Sequence, residues 1–189
     1  MKQELNLQNF LKKNLGGFTI LEVMVAIFVV TMGLVGIFTV IQNLSTSASI
    51  SSNQLIGSYL AQEGIEIIRN IRDTNWLEQR FVTPTPWDEG LTTCVGTCDK
   101  TTGNGCMVDY NHSYDPADPE DPDLPIYNGQ VLNTDITNGF YSYSASTPTN
   151  FKRKIVITPS GDILSICVRV EWQEKGKTYQ FSTIEKLYN

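Results

Sequence analysis

The residue types able to do chemistry are few in this 189-residue chain, and their spacing narrows them further. There is one histidine, His112, so imidazole-rich zinc sites and most His-based catalytic arrangements are excluded at once. No Gly-x-Ser-x-Gly, His-Glu-x-x-His or phosphate-binding glycine loop is present. Cys94, Cys98 and Cys106 fall in one loop-like stretch, and Cys167 lies in a later alternating run. The Cys-x2-Cys spacing of zinc sites is missing. A cysteine nucleophile with His112 as base would lack a third, orienting group. A disulfide among Cys94, Cys98 and Cys106 is the favoured reading, with free thiols the alternative, and the spacing leaves the pairing open. Residues 115–123 concentrate five acids in nine positions, of which Asp115, Asp118, Asp121 and Asp123 are the candidate calcium ligands. Prolines occupy the intervening positions and the EF-hand pattern is absent, so a solvated proline-rich loop is the better reading.

The remaining candidate is a carboxylate in an unusual place. From Phe18 to Ile41 there are 24 residues with one charge, Glu22. As a helix this run is about 36 Å long, enough to cross a hydrocarbon core of ~30 Å. A soluble core helix would be shorter and would keep a polar face. A carboxylate in a membrane helix costs about 2.5–3.5 kcal/mol on insertion scales, so Glu22 is a functional residue by default. Residues 1–17 are polar, and Lys12 and Lys13 precede the span, which holds that end in the cytoplasm by the positive-inside rule. No small-residue cleavage site follows the span. The small residues, Gly16 and Gly17, lie before it, so cutting there removes a hydrophilic leader and leaves the apolar helix as the new N-terminus.

The stretch Lys13-Asn14-Leu15-Gly16-Gly17-Phe18-Thr19-Ile20-Leu21-Glu22 resembles the class III signal of type IV prepilins and pseudopilins. The resemblance implies cleavage between Gly17 and Phe18 by a prepilin peptidase and N-methylation of the new Phe18 amine. It also implies that Glu22 neutralises the amine of an adjacent subunit during assembly. The partners so implied are that peptidase, other pilin subunits, an inner-membrane assembly platform and membrane lipid. The molecule would sit first in the cytoplasmic membrane, then in a pilus or pseudopilus with its head outside the cytoplasm. Residues 60–76 resemble the same helix in PilV-like minor pilins, and the span has no proline, which leans toward a minor pilin or pseudopilin.

The elements that position these groups follow from pattern. No proline occurs before Pro84, and Ile56, Leu60, Ile67, Ile68 and Ile71 recur at near-helical spacing with Glu63, Glu66, Arg69 and Arg72 between them. The helix is therefore expected to continue over 42–80 with its apolar face on a head domain, residues 81–189. All eight prolines lie in that head, most of them in a loop-rich insert over 84–125. In residues 163–173 Leu164, Ile166, Val168, Val170 and Trp172 alternate with Ser165, Cys167, Arg169, Glu171 and Gln173, the signature of a half-buried strand. Turns at 159–162 and 174–177 flank it, giving an antiparallel meander expected over 140–187. The fold class is α+β, with one sheet face under the helix, Trp172 and Ile71 in that interface, and the other face largely solvated. Charged residues are 18% and the net charge is −6, so binding to a phosphate backbone is not expected. An enzyme is not expected, nor a cofactor. The rival readings are a secretion or competence pseudopilin and a membrane-tethered binding, adhesion or hydrolytic protein.

Overall fold

The computed structural model describes residues 17–81, 86–98, 104–111 and 124–189. Among the described residues there are one helix, α1 (Ile20–Phe81), and six strands: β1 (Asn133–Thr134), β2 (Tyr141–Ser142), β3 (Thr147–Pro148), β4 (Phe151–Ser160), β5 (Ile163–Glu174) and β6 (Lys177–Tyr188). The chain divides into two compact units, Met1–Ala48 and Ser49–Asn189. Each is described by itself.

The helix starts where Thr19 stops it from running further back. The Thr19 hydroxyl accepts the Glu22 N–H at 3.3 Å, and the Thr19 carbonyl accepts the first helical bond, from the Val23 N–H at 3.2 Å. This is an N-cap, with the acidic Glu22 in the first turn. The helix passes through Gly33 and Gly36 unbroken, although each costs about 1 kcal/mol relative to alanine in water.

In the second unit β4, β5 and β6 form an antiparallel meander in chain order, with Phe151 opposite Trp172 and Trp172 opposite Tyr179. Two tight hairpins set that register. One closes on the Ser160–Ile163 pair, with Gly161 at φ 61°; the other closes on Glu174–Lys177, with Lys175 and Gly176 at φ 49° and 76°. Positive φ at the first central residue of the one turn and at both of the other matches the right-handed twist of the flanking strands. The meander expected over 140–187 begins only at Phe151. The residues before it form a separate small sheet of order β2-β1-β3. Gly139, at φ 75°, closes the turn between β1 and β2, and Pro148, which has no N–H to donate, lies in the last strand.

The core lies between the C-terminal half of α1 and one face of the meander. Leu60, Ala61, Ile65, Ile68 and Ile71 are buried with Ile155, Ile157, Leu164, Ile166, Val168, Val170 and Trp172. The expected interface residues Trp172 and Ile71 are both in this cluster, and Ile56 and Ile67 pack half-buried at its margin. Two glycines set how close the layers come. A Cβ on Gly57 would stand 2.9 Å from the Trp172 ring, and one on Gly64 would stand 3.0 Å from Val168. The smooth helix surface at Gly64 also admits Arg153, whose Cδ lies 3.3 Å from that Cβ position. Arg153 is fully buried, and both terminal nitrogens of its guanidinium are engaged: it donates to the Leu60 carbonyl at 3.0 Å and to the Val108 carbonyl, and pairs with Glu63 at 3.3 Å, while its Nε has no hydrogen-bond partner among the described residues.

The other sheet face departs from the sequence expectation. It is open along β6, where Thr178, Gln180, Ser182, Ile184, Lys186 and Tyr188 are exposed. Toward β4 it is closed: Lys154, Val156 and Cys167 are buried. The cover is the stretch around Cys94–Cys106. Cys106 exchanges two backbone bonds with Ile155 on the outer edge of β4, and the Ile157 N–H donates to the Cys94 carbonyl at 2.9 Å. Lys154 reaches over to the Thr97 carbonyl at 3.2 Å.

Candidate processing and assembly site

The described part of the first unit is the start of α1 and its approach. Gly17 and Phe18 lie outside the helix, and both are exposed. A Cβ on Gly17 would meet nothing within 4 Å, so its backbone is open on that side. The capped start of α1 places Glu22 one turn beyond Phe18. Among the described residues the Glu22 carboxylate has no hydrogen-bond or ion-pair partner.

From Val23 onward the span leaves no polar group unmet. Backbone groups are satisfied by the helix itself, the condition for lying in lipid. The hydroxyls of Thr31 and Thr39 donate back to the Phe28 and Val35 carbonyls, at 2.9 and 3.0 Å. The large apolar residues between Phe18 and Ile41 are exposed, from 46% at Val23 to 82% at Ile20. The helix is long and apolar enough to cross a membrane, with a mean hydropathy of 2.6 over an 18-residue window of which none is buried. A soluble core helix of this composition would be covered by its own domain. Gly33 and Gly36 also face open space, so neither serves a contact within the described chain.

The comparison with known families falls on this segment. Residues 12–38 carry a prokaryotic N-terminal methylation motif. No curated protein and no solved structure matches the chain. The methylation motif supports a class III signal of the type IV pilin and pseudopilin kind, and one long N-terminal helix followed by an antiparallel sheet is a pilin-like layout. The motif implies processing by a prepilin peptidase and assembly with other pilins. With the apolar helix it points to a membrane-anchored pilin. Of the residues predicted for this site, Gly17, Phe18 and Glu22 are brought together at the start of α1, whereas Lys12 and Lys13 lie outside the described residues.

The predicted groups of the head fare differently. Cys94 bonds Cys106 and Cys98 bonds Cys167, an interleaved pair of disulfides. The first lies within the loop trio that sequence favoured. The second draws in Cys167, which the alternation places among the solvent-facing residues of β5. Its face is the predicted one, but Cys98 sits over it, so the site is buried. The acids Asp115, Asp118, Asp121 and Asp123, and His112, lie outside the described residues. Among the described residues no three His, Cys, Asp or Glu side chains gather into a metal-binding group. Tyr143 and Glu174 are among the perturbed ionisable groups of the head. Burial pushes the Tyr143 hydroxyl up to about 12, and that hydroxyl donates to the Arg153 carbonyl at 3.1 Å. Glu174, on the β5–β6 turn, is held below the usual carboxylate range by hydrogen bonds from Ser49 and Asn53 of α1, the latter at 3.0 Å.

Proposed function

We propose that this chain is a non-enzymatic structural subunit of a type IV pilus, in a minor rather than a major role, cut between Gly17 and Phe18 and methylated on the new Phe18 amine. The observation that carries the reading is the exposed apolar span whose single charge, Glu22, has no partner among the described residues. Lys12 and Lys13 keep the leader in the cytoplasm and the head is exported. The two disulfides suit an oxidising compartment on the far side. Cleavage creates a positive amine at Phe18, one helical turn from Glu22.

In lipid the carboxylate costs about 2.5–3.5 kcal/mol, and pairing it with the Phe18 amine of a neighbouring subunit relieves that cost and sets the axial register between them. Once drawn out of lipid by an inner-membrane assembly platform, the spans cover one another's apolar surface, and close packing supplies the attraction. Gly33 and Gly36, open on their own chain, allow helices to approach closely there. The reaction needs no cofactor, and nucleic acid is not a direct partner.

A pseudopilin of a secretion or competence system is the second reading, since the lack of proline in the span suits a minor pilin and a pseudopilin alike. The likeness of residues 60–76 to PilV-like minor pilins favours the pilus. Co-expression of wild type with Glu22→Ala tests the mechanism. The variant is expected in the membrane fraction at the wild-type level and depleted several-fold from purified filaments; equal incorporation would remove Glu22 from assembly.

A further inference from the structure

The four cysteines of the head are joined out of chain order. Cys94 bonds Cys106 and Cys98 bonds Cys167, so neither bond links a cysteine to the next one along the chain. The sheet dictates this order. Cys94 and Cys106 both lie along the outer edge of β4: the Cys94 carbonyl accepts the Ile157 N–H, and Cys106 exchanges two backbone bonds with Ile155. The stretch after Cys94 then crosses the sheet face. Lys154 donates to the Thr97 carbonyl at 3.2 Å and Arg169 to the Cys98 carbonyl at 3.4 Å, which sets Cys98 over β5 beside Cys167. Gly96 permits the passage, since a Cβ there would stand 2.2 Å from the Asn104 carbonyl oxygen.

Pairing in chain order conflicts with this sheet. Cys106 stands opposite Ile155 on one side of β4, and Cys167 stands opposite Val156 on the other. Two strand spacings separate them, about 10 Å between Cα atoms, whereas a disulfide spans at most ~7 Å. A Cys106–Cys167 bond is therefore incompatible with the assembled head. The chain is nevertheless biased toward that order. Cys98 follows Cys94 by four positions and Cys106 follows it by 12, and loop closure favours the shorter loop about fivefold. Closing Cys94–Cys98 leaves Cys106 and Cys167 only each other. In the finished fold Cys94, Cys106 and Cys167 are buried and Cys98 alone of the four keeps partial exposure, so the native bonds are shielded from further exchange.

We propose that the head is a substrate of a thiol–disulfide isomerase, which converts the chain-order bonds Cys94–Cys98 and Cys106–Cys167 into the native pair. The oxidising compartment where this happens rests on the exported topology proposed above; the pairing argument does not. A disulfide oxidant first takes two electrons and two protons for each bond. The rearrangement is then redox-neutral. The isomerase thiolate attacks the Cys98 sulfur, forms a mixed disulfide there and releases the Cys94 thiolate. Cys94 attacks the Cys106 sulfur and releases the Cys167 thiolate. Cys167 attacks the Cys98 sulfur and returns the isomerase thiolate, so two bonds of the head are lost and two are gained.

The test uses the full chain in detergent, reduced and unfolded in guanidinium, then diluted and oxidised with diamide. After blocking of free thiols, its bonds are mapped by peptide mass spectrometry. Diamide alone is expected to give Cys94–Cys98 in several-fold excess over Cys94–Cys106. A catalytic amount of reduced protein disulfide isomerase, added after the diamide is removed, should reverse that ratio without changing the number of free thiols. The same isomerase with its active-site cysteines replaced by serine should not. In Cys94→Ser/Cys106→Ser only Cys98–Cys167 can form, and its yield should be equal with and without isomerase, whether or not that variant folds. Native pairing already predominant with diamide alone, chain-order bonds that the isomerase fails to convert, or an isomerase requirement in the double variant would overturn the proposal. None of these readouts involves a membrane, so an error in the exported topology would leave them unchanged.

Discussion

The two halves of α1 are made from much the same apolar alphabet and are read by two different solvents. In residues 18–48 the apolar residues are exposed all round, glycines face open space and threonines satisfy their own hydroxyls. In Ser49–Asn189 one face is buried against a sheet, glycines are pressed to within van der Waals distance of it, and the opposite face carries charge. The comparison teaches that a residue type has no fixed meaning along this helix. A glycine at 36 faces open space, and a glycine at 57 has a close contact in its own domain.

The largest effect expected concerns the head alone. Replacing Cys98 and Cys167 together by serine removes a cross-link spanning 69 residues. In the chain-entropy model that lowers stability by about 4 kcal/mol. Denaturant unfolding should show the loss while the variant remains in the membrane fraction at the wild-type level. A fall in membrane insertion would break the separation between the halves.

Glycine replacements sharpen the comparison within one element. Gly57→Ala places a Cβ 2.9 Å from the Trp172 ring, which is itself packed on Phe151 and Tyr179 and has little room to give. Overpacking costs about 1–3 kcal/mol, offset in part by the roughly 1 kcal/mol gain in helix propensity, for a net loss of about 1 kcal/mol. Gly36→Ala should leave head unfolding unchanged and reduce filament yield, since its cost falls only on the contact with another subunit. Equal effects of the two substitutions on head stability would contradict the division.

The smallest effect concerns pH. The Glu174 pKa is lowered in the folded head, so its hydrogen bonds with Ser49 and Asn53 stabilise the fold above the ordinary carboxylate range. That contribution is lost as pH falls through the lowered folded value. Glu174→Gln should make the head slightly less stable at neutral pH and flatten the acid limb of a stability–pH curve, with the wild-type and variant curves converging in strong acid.

Sequence revealed those features whose cause is local. The apolar span, its lone carboxylate and the glycine pair before it are legible because each lies within one short run. The β5 alternation is legible because all five of Leu164, Ile166, Val168, Val170 and Trp172 point into one core. The 174–177 turn is legible from Lys175-Gly176. What stayed hidden depends on partners far along the chain. Arg153 and Lys154 are buried with no local signal for it, because the groups that receive them lie far along the chain: the carbonyls of Leu60, Val108 and Thr97 and, for Arg153, the Glu63 carboxylate. No residue type announces a carbonyl. Cys167 sits among Ser165, Arg169 and Glu171 and reads as solvent-facing, and only the return of Cys98 across the sheet buries it. Gly57 and Gly64 look like helix weaknesses until the sheet beneath them is in place.

The central claim is that the apolar span becomes the chain's N-terminus. N-terminal sequencing with intact-mass measurement of the protein extracted from membranes tests it most directly. The account predicts a chain beginning at Phe18, with a methyl group on its amine. A chain still beginning at Met1, in cells whose prepilin peptidase is active on its other substrates, would contradict it.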